Sequence, residues 1–380
     1  MNTPASNLRS RRPSLWFCST TQEWTQQQAA ISDINAVLPE APVLLSARIR
    51  DTALRERISW LQSARRTFAI EPYGEAVDAD VQNPSKWIRT EKPWLVPPPP
   101  SPTNYPQWML TSLRHQMSFR PSVLITPSPF LSVTNASQMA EQLTDAAHIA
   151  AAELGSPVDC LIGFSGSRDW LRAEAALQSV GNVLVDSKLA GVYLRISHRE
   201  NVVRDRQYLH GLRQLTIGLS DAGFQVFLPN SGRLGWLALA WGASSISAGI
   251  TQGSWSERER TRMSQPTQPS QWYYEHQLGM EVRWRHHDRL TQLRDYRWCQ
   301  CQHCQHLQNG YDPALARRHA VFQLAIDVAQ VQVASNGVRR RRIRDRLTEM
   351  KTFNDLVTRR LGSDWEGYER DFVERWLEAV

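Results

Sequence analysis

Hydrophobic and polar positions alternate along the chain on two length scales. Eight short apolar, β-rich runs recur at 14–18, 43–47, 67–70, 122–126, 158–164, 192–196, 224–228 and 244–248. Between several of them lie helical segments, at 137–154, 168–179, 201–222 and 233–241. The runs are almost continuously apolar rather than strictly alternating, which is the pattern of strands buried on both faces of a parallel sheet. Eight strand–helix units in succession predict a closed (β/α)8 TIM barrel over residues 14–255. Catalytic groups in such a barrel belong at the C-terminal ends of the strands, so the residues just past each run are the first to inspect.

The third crossover breaks the rhythm. About 75–120 reads as an insertion carrying Pro93-Trp94-Leu95-Val96-Pro97-Pro98-Pro99-Pro100-Ser101-Pro102, a tract that favours polyproline II. Trp87, Trp94, Tyr105 and Trp108 punctuate it. Two readings stay open: a strap packed on the barrel, or aromatic platforms at its mouth that stack on bases.

Beyond Trp255 the pattern changes to charged and polar residues, and then to Trp298-Cys299-Gln300-Cys301-Gln302-His303-Cys304. Asp312-Pro313 provides an N-cap and a first-turn proline for a following helix. On that helix Leu315, His319, Phe322, Ile326 and Ala329 fall on one predicted inward face. Three cysteines within six residues, with an inward histidine, point to a tetrahedral metal site of Cys299, Cys301, Cys304 and His319. Four protein ligands leave no open position, so a bound Zn²⁺ would be structural. His303 and His306 are rival ligands, and an iron–sulfur cluster is the alternative metal centre. The zinc-binding subdomain therefore spans 256–335 and C-terminal helices fill 336–380. Within these, Arg339, Arg340, Arg341, Arg342 and Arg344 form a run that reads either as a solvated helix face or as a contact for nucleic-acid phosphates. Helices at 353–361 and 368–377 offer Leu356, Phe372, Trp376 and Leu377 for packing.

Charge agrees with the second reading of the arginines. The 380 residues carry 44 Lys and Arg against 37 Asp and Glu, a net +7, and a basic surface attracts polyanions. Residues 1–13 form a short basic tail. No apolar run approaches the ~20 residues that span a bilayer, and none has the form of a secretory signal. Cys18 and Cys160 stand apart from the cluster, which fits a reducing cytoplasm rather than a disulfide framework.

A (β/α)8 barrel followed by Cys-x-Cys-x-x-Cys and a helix-borne histidine resembles the tRNA-guanine transglycosylase superfamily, most of all its DNA-acting deazaguanine branch. Cys299, Cys301, Cys304 and His319 match the family's zinc ligands in order, although the gap before the histidine is shorter here. Ala69-Ile70-Glu71-Pro72-Tyr73-Gly74 falls where the family carries Asp-Ser-Gly-Gly-Phe. Leu161-Ile162-Gly163-Phe164-Ser165-Gly166 and Tyr193-Leu194-Arg195-Ile196-Ser197 fall where its strands feed the base pocket. One departure is decisive for the expected chemistry: the family's eighth strand delivers a nucleophilic aspartate, and here Gly249 stands in its place. Double displacement needs that group to trap the sugar, so base exchange gives way to hydrolysis.

Glu71, at the end of the third strand, is the carboxylate left to activate water and stabilise an oxocarbenium-like sugar. Its competing role is an ion pair with a mouth arginine such as Arg48 or Arg195. Asp186 is a weaker candidate, and Asp78 and Asp80 lie in the insertion. Arg48, Tyr73, Ser165, Arg195, Asn230 and Gly249 are the expected base and sugar pocket, with His198 and Trp255 beside them; Ser165 lacks the setting of a hydrolase serine. The resemblance implies a DNA glycosylase, with DNA favoured over tRNA and modified bases as substrates, since that branch is associated with phage and phage-defence chemistry. A base-exchange transglycosylase, a non-catalytic nucleic-acid-binding subunit and an unrelated small-molecule barrel enzyme are the alternatives.

Overall fold

The structure is a computed structural model that describes residues 14–21, 23–47, 49–72, 101–155, 158–186, 189–197, 205–250, 271–332, 334–362 and 371–380. All eight apolar runs are strands. They are β1 (Ser14–Ser19), β2 (Val43–Ser46), β3 (Phe68–Glu71), β4 (Leu124–Ile125), β6 (Cys160–Ser167), β7 (Gly191–Ser197), β8 (Gln225–Leu228) and β9 (Ser245–Ala248), with a further short β5 (Phe130–Leu131) after β4. Every pairing is parallel, in the order β3-β2-β1-β9-β8-β7-β6-β4, with β5 also on β6. The two ends of this ladder touch. Ala69 forms a parallel bridge with Val123, and the Ser122 N–H donates to the Phe68 carbonyl at 2.9 Å.

Register explains why the strands read as unbroken apolar runs. Residues of one parity, including Phe17, Val43, Ile70, Ile162, Val192, Val226 and Ile246, join the core shared with the surrounding helices. Residues of the other parity make a separate inner cluster of Trp16, Leu44, Ala69, Val123, Ile125, Leu161, Tyr193 and Phe227. Phe227 packs at 5.2 Å from Trp16 and edge-on to Tyr193 at 5.1 Å. Neither face is left for water, so polar residues are pushed to the strand ends.

The helices on the outer face are α1 (Trp24–Asn35), α2 (Asp51–Ser63), α3 (Tyr105–Met117), α4 (Ala136–Leu154), α5 (Asp169–Arg172), α6 (Glu174–Asp186), α7 (Arg206–Asp221) and α8 (Gly232–Ala238). Two expectations are corrected here, and one left open is decided for Tyr105 and Trp108. The predicted helix at 168–179 is interrupted at Ala173 and then runs on to Asp186. The apolar run before Asp186 is therefore helical, and this residue sits where a helix leads into β7, at the opposite end of the sheet from Glu71. The second half of the insertion is helix α3, in which Tyr105 and Trp108 are buried with rings 5.9 Å apart. They pack as a strap and are not platforms at the mouth. Trp87 and Trp94 lie outside the described residues.

Between β4 and β5 the chain passes through Thr126-Pro127-Ser128-Pro129. Prolines have no N–H for a ladder, and here hydroxyls take over the acceptor role of carbonyls. Thr126 Oγ1 accepts from Gly163 N–H at 2.8 Å and Ser128 Oγ accepts from Ser165 N–H at 3.1 Å. The backbone comes so close that a Cβ at Gly163 would lie 2.0 Å from the Thr126 carbonyl oxygen. Gly163 is thus required by space, since neither partner is the movable end of a side chain. We expect Gly163→Ala to destabilise the fold by about 1–3 kcal/mol, as overpacking does elsewhere, read as a lowered midpoint of thermal unfolding.

Candidate functional site

Two groups of polar residues stand out, one after the sheet and one on its inner face. The first is built by the antiparallel hairpin β10 (Trp272–Glu275) and β11 (Met280–Arg283), then α9 (Trp284–Thr291), α10 (Gln302–Leu307) and α11 (Pro313–Gln332). Cys301 precedes α10 and Cys304 lies in its first turn, with the Cys304 N–H on the Cys301 carbonyl at 3.1 Å. Asp312 caps α11 as expected, accepting from Ala314 N–H at 2.7 Å and Leu315 N–H at 3.1 Å.

The turn and the helix bring Cys299, Cys301, Cys304 and His319 together, with one donor atom from each inside a 4.8 Å span. His319 Nδ1 is 3.2 Å from Cys301 Sγ and 3.3 Å from Cys304 Sγ. Tetrahedral bonds of about 2.3 Å to sulfur and 2.0 Å to nitrogen would separate neighbouring donors by roughly 3.5 Å, so the four fit one metal ion. The tautomer is fixed from behind: His319 Nε2–H donates to the Tyr274 carbonyl at 2.9 Å, leaving Nδ1 for the metal. Tyr273 stacks on the His319 ring at 4.9 Å and its hydroxyl reaches Cys304 Sγ at 3.1 Å. Gln323, one turn beyond His319, donates to Cys299 Sγ at 3.0 Å.

Charge points the same way as distance. Hydrogen bonds with Cys299, Cys304 and His319 hold the Cys301 thiol far below its ordinary value. Sharing a proton with Cys301 pushes Cys299 up to about 12, and Cys304 is driven up by Cys299 and Cys301. One thiolate is stable in this buried pocket without a cation; two or three need one.

The rival ligands are accounted for. His303 is buried beside Asp33, with Nε2 3.3 Å from Oδ2, and His306 is exposed. Asp33 belongs to α1, and it also takes Gln302 Nε2 at 2.8 Å and Arg318 at 2.7 and 3.0 Å. One carboxylate thereby clasps the metal subdomain to the sheet domain. Burial opposes its ionisation, but His303 and Arg318 lower its pKa overall. The predicted face of α11 needs correction. His319 is fully buried, but Leu315, Phe322, Ile326 and Ala329 are half-buried, while Ala316, Ala320, Leu324, Val328 and Val331 are buried. The helix is packed on several sides, against α1, α10 and β10, and so has no single inward stripe.

Behind the ligands lies an aromatic box of Tyr273, Trp284, Tyr296 and Trp298 around His287, which lies beside the fully buried Glu275. The His287 Nε2–H donates to the Tyr296 oxygen at 2.6 Å, and the Tyr296 O–H donates to Glu275 Oε2 at 2.8 Å. Burial raises the Glu275 carboxyl, and His276 and His287 outweigh it to hold the pKa at about 2.

The arginine run lies in α12 (Asn336–Leu361), a single helix of 26 residues, and α13 (Asp371–Ala379) packs Phe372 and Trp376 into the core. The run does not act as a unit. Arg339 is buried and donates to the Leu239 and Ala334 carbonyls, each at 3.2 Å, and Arg340 donates to the Val380 carbonyl. Arg339 is therefore an internal brace, a correction to its expected phosphate contact. Arg341, Arg342 and Arg344 are exposed, although Arg342 also reaches the Gln330 carbonyl.

The second polar group is on the inner face. Parallel register pairs Ser46 with Glu71 and Ser165 with Arg195, at the C-terminal ends of β2, β3, β6 and β7. Glu71 and Arg195 are buried, and Arg195 Nη1 lies 3.5 Å from Glu71 Oε1. The Tyr193 hydroxyl donates to the same oxygen. Of the two roles expected for Glu71, the ion pair is present. Asn230 follows β8 with left-handed φ of 47°, and its N–H donates to Ser247 Oγ at 2.8 Å. Gly249 is buried immediately after β9. Arg48, Tyr73, Asp78, Asp80, His198 and Trp255 lie outside the described residues. Sequence reasoning missed Tyr193, two residues before Arg195, although period two places both on one face. It also missed Asp33, which carries no local signal at all.

No known protein-family model matches the chain, and no curated protein matches it. Among the described residues no helix is long and apolar enough to cross a membrane.

Metal analysis of the purified chain should find about one ion per chain, lost in Cys301→Ser and His319→Ala and kept in His306→Ala. A second expectation concerns pH. Glu275 titrates near 4.5 when unfolded and at about 2 when folded. Its folded pKa is depressed, so its stabilisation is complete above pH 4.5 and disappears as pH falls towards 2. That shift corresponds to on the order of 3 kcal/mol. Unfolding measured across this window should show the loss in wild type and a flatter profile in Glu275→Gln.

Proposed function

We propose that the chain is a closed, zinc-bearing (β/α)8 barrel of tRNA-guanine transglycosylase descent that hydrolyses an N-glycosidic bond in DNA. Closure is supported by the bridge between the ladder ends and by an inner cluster drawn from seven strands. Zinc is supported by a three-sulfur, one-nitrogen donor set at tetrahedral spacing. Its part is to hold the subdomain together, because four protein ligands leave it no catalytic water.

The observation that carries the reading is the inner-face row. Glu71 is held next to Arg195 and Tyr193 at the catalytic end of the strands, and a glycine follows β9 where the family has its nucleophile. An ionised carboxylate there can take a proton from water as the water oxygen bonds to C1′ and the C1′–N bond breaks. The proton then passes to the departing base. The same charge stabilises the oxocarbenium-like sugar, and Arg195 steadies negative charge on the leaving base. Exposed Arg341, Arg342 and Arg344 supply a positively charged surface for the phosphate backbone.

A second reading is favoured by the Glu71–Arg195 pair itself, which can serve to neutralise a buried charge. On that reading the chain is a non-catalytic nucleic-acid-binding subunit. Incubation with modified and unmodified DNA, single- and double-stranded, followed by alkaline cleavage at abasic sites, separates the two. Hydrolysis predicts strand breaks that fall at least about 100-fold in a folded Glu71→Gln variant. Salt-dependent DNA binding that Glu71→Gln leaves unchanged, with no abasic sites on any substrate, supports the binding subunit and counts against hydrolysis.

A further inference from the structure

The inner row does not end at Ser165. On its other side β5 pairs with β6, and Phe130 is in register with Ser165. Phe130, Ser165 and Arg195 thus form one line across three strands, with their side chains on the same face. Two strand spacings put the Cα atoms of Phe130 and Arg195 about 10 Å apart. The neighbouring Leu131 has opposite parity and is fully buried in the outer core, which confirms the direction of Phe130.

Phe130 differs from the rest of the row in being exposed, at 37% of its surface, whereas Ser165, Arg195 and Glu71 are buried. A folded chain gains nothing by leaving over a third of a phenylalanine in water, two strands away from a buried guanidinium. The position is also held firmly. Pro129 fixes the backbone directly before it, and Ser128 anchors the segment to β6 through the Ser165 N–H. A flat apolar ring on a fixed strand, in register with Ser165 and Arg195, whose guanidinium in turn meets the Glu71 carboxylate, matches a planar heteroaromatic ring with donors and acceptors on its edge.

We infer that Phe130 is the stacking platform for a nucleobase extruded into the inner face, with Arg195 meeting the base's polar edge. This rests on the reading of the chain as one that processes bases in nucleic acid, and it names the group that holds the base. Stacking uses the π-face, so the proposal distinguishes a phenyl ring from an aliphatic side chain of similar bulk.

The test is equilibrium binding of adenine, guanine, cytosine, thymine and 7-deazaguanine as free bases, by calorimetry, to wild type and to Phe130→Ala, Phe130→Leu and Phe130→Trp. Wild type should bind at least one of them, and Phe130→Ala and Phe130→Leu should each weaken that base by about 5- to 100-fold. Phe130→Trp should retain affinity and show quenched indole fluorescence on binding. Phe130→Leu binding as well as wild type would reduce the residue to an apolar filler and overturn the platform. Unchanged affinity in Phe130→Ala, or no binding of any base, overturns it as well. The assay is independent of turnover: base binding lost with Phe130→Ala, but no abasic sites in DNA, would remove hydrolysis and keep the platform. Abasic sites formed normally by Phe130→Ala would do the reverse.

Discussion

A parallel sheet covered on both faces has no place for a charge except at the ends of its strands. Inside this chain that constraint is met with one row of side chains. Trp16, Leu44, Ala69, Leu161, Tyr193 and Phe227 fill the level below; Glu71 and Arg195 appear one step further along the same parity, and Ser165, after Gly163, two steps beyond Leu161. Burying an unpaired carboxylate would be costly, and the geometry answers by placing a guanidinium and a phenol on it. The chemistry available to the molecule is therefore concentrated at one level of the sheet by the same packing that excludes it elsewhere.

The metal subdomain obeys a different rule. It has a small core of its own, with Tyr273, Leu290, Leu307, Phe353 and Val357 around the cysteines, too little apolar surface to hold a hairpin and three helices in place unaided. Bonds from Cys299, Cys301, Cys304 and His319 to one ion would supply what the core lacks. Around them, the hydrogen bonds to Tyr274, Gln323 and Tyr273 decide which nitrogen and which sulfurs face the centre. Glu275 and Asp33 then fix the knob internally and to the sheet. A second junction joins α8, α11 and α12, where Asp327 pairs with Arg233 and lies 3.7 Å from Arg346, and Arg233 covers the Tyr274 ring at 4.0 Å.

Local pattern is enough to find the strands, the Asp312 cap and the clustered donors Cys299, Cys301, Cys304 and His319, because each depends on residues within a few positions of one another or on a distinctive cluster. What stays hidden depends on contacts between distant segments. Asp33 reads as an ordinary polar residue on α1 until residues 302, 303 and 318 are seen around it. The arginine run reads as one basic face until Arg339 is found turned inward onto the carbonyl of Leu239. Asp186 misleads for another reason: a three-residue apolar run has no length from which to tell a strand from the end of a helix. Phe130 escapes notice because two prolines disguise a strand that continues past them.

The Asp33 clasp bears on the order in which the molecule assembles. Its partners lie 269 to 285 residues further along the chain. During synthesis the Asp33 carboxylate has none of these partners, and stays hydrated, until residues 302 to 318 have been made. The first strand–helix unit therefore cannot reach its final environment until the subdomain after the sheet has formed. Contacts of such long range slow folding, and they make the segment at residues 302 to 318 the lock on α1. Metal uptake by the four clustered donors would then act as a checkpoint on this clasp, because Gln302, His303 and Arg318 lie on the segments that carry Cys301, Cys304 and His319.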